Sequence, residues 1–146
     1  MVSQLREPGI CICSYGRRYI GSGASLRNRP VRAAYRQCGI LGRFRVSDLN
    51  GGRLNHGDWI TLRAAHDRYV SLNRDGIVYA NRQRAGKSEK LMLIKATNVP
   101  GLIKAGEMIA LVSARGFFVV PDLKKGRLKA TKQTLAHHEF FVLMAE

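Results

Sequence analysis

Three cysteines, four histidines and a large excess of arginine are the residues of this sequence whose chemistry could define a function. Cys11 and Cys13 flank Ile12, so on a strand their side chains share the face opposite Ile10 and Ile12. A metal site would need a second paired motif, and Cys38 stands alone, so the three thiols are read as reduced and structural. An odd number of cysteines also suits a reducing compartment better than a disulfide framework. His137 and His138 are adjacent and point to opposite faces of any strand, while His56 and His66 fall in polar, turn-like stretches. No nucleophile stands in a pattern with a base, so the chain reads as non-enzymatic, with no catalytic residue, metal or cofactor.

The arginines point to binding instead. The formal net charge is +15, carried by 17 Arg and 8 Lys against 10 acidic residues. Arginine predominance matters because its planar guanidinium grips carboxylates and phosphates through two parallel hydrogen bonds, where lysine acts as a point charge. Residues 1–50 are the most cationic, with nine basic side chains against two acidic ones. Arg17 and Arg18 precede Tyr19, and Arg27, Arg29 and Arg32 crowd the stretch that follows it. An unbalanced charge of this size repels itself and is best tolerated by a protein whose partner is an acidic macromolecule. Arg17, Arg18, Arg27, Arg29, Arg32 and Arg36 are therefore the expected contact surface, extended by Arg82 and Lys132.

The elements that would hold these residues repeat. Ile12 precedes Tyr19, Leu62 precedes Tyr69 and Leu111 precedes Phe118, each by seven positions, and Ile20, Val70 and Val119 follow the aromatics. Later in each copy comes Ala-x-basic-Gln, at Ala34–Gln37, Ala80–Gln83 and Ala130–Gln133. Each copy closes on an apolar-x-apolar run, at Phe44 and Val46, Leu91 and Leu93, and Phe141 and Leu143, with Glu89 and Glu139 two positions ahead of the last two. Short alternating runs between turn signals read as strands, and Asp75-Gly76 supplies the positive φ of a tight hairpin. A period near 50 residues means units that cannot bury their apolar faces alone. Three copies of four strands predict an all-β fold, a β-trefoil: a six-stranded barrel capped by three hairpins, in a single domain spanning 1–146 with repeats near 10–53, 58–98 and 107–146.

This pattern of aliphatic strand, turn, Tyr-aliphatic-Ser, Asp-Gly, Ala and Glu-x-apolar resembles the fascin and hisactophilin group of trefoils, from Ile10 to Leu143. The resemblance implies a cytoskeletal module whose basic surface meets the acidic exterior of actin filaments without cofactor or chemistry. Fibroblast growth factors share much of the grammar, but Lys90 follows Glu89 where their pattern favours cysteine, and the Gln-x-Trp signature of ricin-type lectins is absent. Charge alone supports nucleic-acid or ribonucleoprotein binding through phosphates as well, and a heparin-like glycan is a third class.

The start of the sequence has no long apolar run, so a cytoplasmic monomer without membrane insertion is expected. Ile12, Leu62 and Leu111, with Tyr19, Tyr69, Phe118, Phe44, Leu91 and Phe141, are expected to form the core. Arg36, Arg82 and Lys132 are expected to occupy equivalent sites and to present a triangle of cations around the pseudo-axis. The Tyr19–Ala34 stretch, longer than its counterparts, is where a binding function would be added.

Overall fold

The computed structural model describes residues 9–21, 30–38, 42–122 and 126–145. Arg27 and Arg29 lie outside them.

Each copy contributes two barrel strands with a hairpin between them. In the first these are β1 (Gly9–Ser14), β2 (Tyr19–Gly21), β3 (Arg32–Tyr35) and β4 (Phe44–Asp48). The second has β5 (Asp58–Arg63), β6 (Tyr69–Leu72), β7 (Val78–Arg82) and β8 (Leu91–Lys95). The third has β9 (Met108–Ser113), β10 (Phe118–Pro121), β11 (Leu128–Lys132) and β12 (Phe141–Ala145). Antiparallel pairing runs β1–β4–β5–β8–β9–β12 and returns to β1, a closed barrel of six strands without a free edge. The hairpins β2–β3, β6–β7 and β10–β11 cap it, each with a register shift just after its aromatic residue.

That shift moves the core by one residue from the expected place. Tyr19, Tyr69 and Phe118 are only half-buried, whereas Ile20, Val70 and Val119 after them are buried. The aromatics pair across to the barrel strands at Cys13, Arg63 and Val112, at the rim where solvent reaches them. The interior is built in threefold sets: Ile10, Ile60 and Ile109; Ile12, Leu62 and Leu111; Phe44, Leu91 and Phe141; and Val31, Val78 and Leu128 from the hairpins. The void of about 10 Å³ among Ile20, Phe44, Leu91 and Leu111 is too small to leave a layer unpacked.

Pairing also corrects the alignment of the third strands. Ile20, Val70 and Val119 face Ala33, Ala80 and Ala130, so Ala33 rather than Ala34 is the true counterpart. The Ala33-Ala34 doublet made both alignments look alike in sequence. Ala34 is exposed, while Ala33 packs on the core.

The caps interlock in a ring. Pro30 of the first copy bridges to Tyr79, Ile77 of the second to Lys129, and Arg127 of the third back to Arg32. At two of these joints a glycine lies against the next strand. A Cβ on Gly76 would stand 2.8 Å from the Ala130 carbonyl oxygen, and one on Gly126 would stand 2.7 Å from that of Ala33. Both have positive φ, +81° and +71°, so no other residue fits either the space or the backbone.

The cysteine expectation is overturned. Cys11 and Cys38 form a disulfide with Cα atoms 6.1 Å apart, and only Cys13 is a free thiol among the described residues. Their sequence separation of 27 hid the pairing, because the hairpin alone brings the segment after β3 back over β1 within bridging distance. Burial pushes the Cys13 thiol up, with nearby Arg17 opposing it.

Candidate binding surface

Arg17 and Arg18 lie in the tight turn from β1 to β2. Ser14 organises that turn: its carbonyl accepts the Arg17 N–H at 2.9 Å and its Oγ accepts the Arg18 N–H at 3.2 Å. Arg17 adopts a left-handed φ of 63°, as Asp67 (68°) and Gly116 (90°) do at the matching turn positions. A fixed turn thus presents both side chains, and both are exposed. Tyr19 pairs with Tyr35, which brings Arg36, the next residue, to the same end of the hairpin as Arg18. Arg17, Arg18 and Arg36 therefore share one end of this hairpin, which forms an exposed corner.

Among the described residues, the other candidates, Arg32, Arg82 and Lys132, do not share that end of the hairpin. Arg32 is paired opposite Gly21, near the other end of the hairpin, in the bridge to Arg127. Arg127 holds Asp122 by its Nε at 2.9 Å. Arg82 and Lys132 pair opposite Tyr69 and Phe118, and the residue in that position of the first copy is Tyr35. The expected triangle with Arg36 is thus not formed. Lys132 is also engaged, its Nζ lying 2.5 Å from Glu139 Oε2.

Glu89 and Glu139, recognised only as repeat markers in the sequence, are anchors. Glu89 is buried, accepts the Gly86 N–H at 2.6 Å and the Ser71 hydroxyl, and so fixes the 3-10 turn Lys87–Glu89 against β6. Glu139 accepts the Ala136 N–H at 2.9 Å before the 3-10 turn His137–Glu139. The first copy has Gly42 there, where a Cβ would meet the Ile20 carbonyl oxygen at 3.1 Å.

Sequence reading missed a groove at the boundary of the second and third copies. Its main recess, about 620 Å³, lies between the Asn73–Gly76 turn and the Ser113–Phe117 turn, with Lys87 and Ser88 at one end. A second recess of about 370 Å³ adjoins it at Lys87 and Ala114 and is lined by Leu49, Asn50, Trp59 and Lys90. The turn residues looked like ordinary hairpin chemistry, and only folding sets them facing one another. At the boundary of the third and first copies, Tyr15 takes the place of Ala114 and His137 that of Lys87. There the two rings touch edge to face, centroids 5.4 Å apart, and fill that place.

The second recess carries a displaced carboxyl beside it. Burial, and then a hydrogen bond with the Asp58 carboxyl, push Asp48 up to about 6 against the opposing Asn50 N–H, which its Oδ1 accepts at 2.8 Å. Asn50 in turn accepts the Trp59 N–H at 2.8 Å, so the pair of carboxyls orders one wall of the recess. No group of three His, Cys, Asp or Glu side chains among the described residues is placed to hold a metal.

No family model matches the chain, and no curated protein matches it in sequence. In three dimensions it is similar to the SDF2-like protein from Arabidopsis thaliana, with a TM-score of 0.73 over 94% of this chain and 92% of that one at 9% identity. The fold is a β-trefoil. Identity this low carries the trefoil architecture and nothing of the partner. None of the trefoil's helices among the described residues is long and apolar enough to cross a membrane.

Proposed function

We propose that this trefoil is a non-enzymatic binding module for an acidic macromolecular surface, and that the surface is that of an actin filament. The observation that carries the proposal is the corner that Arg17, Arg18 and Arg36 share, exposed and held by a fixed turn, on a chain of net charge +15. Three guanidiniums presented together suit surface carboxylates, which each can hold by two hydrogen bonds. The fascin-like strand pattern favours the filament over other polyanions. A filament partner carries with it a cytoplasmic location.

One observation supports a second reading. Tyr15, 50% exposed, stands in the same turn as Arg17 and Arg18, and an aromatic face beside cations can stack on a nucleic-acid base. Co-sedimentation with actin filaments, run beside gel shifts on duplex and single-stranded nucleic acid at physiological salt, separates the two. Pelleting with filaments and no shift supports the first reading. A shift that Tyr15→Ala weakens, without pelleting, supports the second.

A further inference from the structure

We propose that the groove between the second and third copies is a separate site for an acidic saccharide, a short chain bearing carboxylate or sulfate groups. Its volume is in the range of small-ligand sites. Arg74, Lys87 and Arg115 line the main recess and Lys90 the adjoining one, against a single acidic residue, Asp75. None of these four cations has an ion pair among the described residues. They are free to meet an anion.

The other lining groups select the ligand class. Asn73, Ser88, Ser113, Thr131 and Asn50 bring hydroxyls and amides, while Leu72, Phe117, Ala114 and Ala130 bring apolar surface. Ser113 is buried and its Oγ accepts the Phe117 N–H at 3.2 Å, which leaves its own hydroxyl proton to donate. Hydroxyl partners beside apolar patches match a pyranose ring, with polar edges and a C–H face, and the cations match its acidic substituents. An extended acidic peptide would need an open strand edge to bind its backbone. The strands lining the recess offer none there: β6 is paired with β5 and β7, β11 with β10, and Ser113 with Leu91 of β8.

The opening is not repeated at the boundary of the third and first copies. Ala114 leaves space in front of Lys87, whereas Tyr15 and His137 fill the matching place between the third and first copies. The site is also remote in sequence from the Arg17, Arg18 and Arg36 corner, so each can be removed without the other.

Trp59, the only tryptophan, lines the second recess and reports occupancy directly. The probe is a sulfated tetrasaccharide, titrated while tryptophan fluorescence is followed, with its desulfated form, an acidic hexapeptide and a hexanucleotide as comparisons. The proposal expects a saturable change with the sulfated probe and at least tenfold weaker binding of the other three. Arg74→Ser with Arg115→Ser is expected to weaken it tenfold or more, and Arg17→Ser with Arg18→Ser less than twofold. Ala114→Tyr, which imitates the filled boundary, is expected to abolish the change with melting temperature retained. Equal losses from the two double variants, no saturable change, or equal binding of peptide or nucleotide would overturn the proposal.

Discussion

At the residue scale, two phenylalanines separate core from rim. Phe141 is fully buried and Phe118 half-buried, although the repeat pattern makes both look like core. Phe141→Ala is expected to cost about 3–5 kcal/mol in chemical denaturation, and Phe118→Ala no more than about half of that. The reason lies in the hairpin bulge, which no spacing rule reveals: it rotates the aromatic to the rim and seats the following β-branched residue inside. Asp48 gives a second test. Its carboxyl is raised from the ordinary 3.8 to about 6, so the folded chain holds a proton that the unfolded chain releases between those values. Stability from this group is therefore present at low pH and lost as pH rises through about 6. Asp48→Asn keeps the acceptor for Asn50 and removes the charge. The stability difference between variant and parent should grow in the variant's favour from pH about 4 to about 6 and then level off. A constant difference would show that Asp48 is charged throughout.

At the element scale, the ring of hairpins depends on backbone contact more than on side chains. Gly76→Ala places a methyl against the Ala130 carbonyl and also strains a positive φ, whereas Gly52, with φ +77°, has nothing within 4 Å of the added methyl. Gly52→Ala is thus expected to cost about 1–2 kcal/mol from the backbone alone, and Gly76→Ala clearly more, measured by thermal melting. Equal costs would mean that the joint between the copies yields easily. The hairpin, the Asp-Gly turn and the four-strand unit were legible in sequence because turn chemistry and alternation are local. The Cys11–Cys38 bridge, the Ala33 register and the groove were not, since each depends on residues of different elements meeting. Glu89 was visible as a recurring residue, but its role in holding the Gly86 N–H and Ser71 hydroxyl appears only once β6 lies alongside.

At the scale of the whole molecule, threefold symmetry explains the fold, and its breaking sets the two candidate surfaces apart. The core sets are nearly interchangeable, whereas the surface is not: one corner gathers Arg17, Arg18 and Arg36, and one boundary opens where another is filled by Tyr15 and His137. Net charge spread evenly over such a body would attract any polyanion without a located site. At physiological ionic strength, exposed charges are screened beyond about 8 Å, so a located site must draw on neighbouring side chains. The decisive measurement is filament co-sedimentation at physiological salt with two triple variants of equal charge loss. One carries Arg17→Ser, Arg18→Ser and Arg36→Ser; the other replaces Arg53, Arg84 and Lys104, exposed cations from three separate segments, by Ser. The located corner predicts at least tenfold weaker pelleting for the first triple and less than threefold for the second. Equal weakening of the two, or no pelleting by the parent chain, would contradict it.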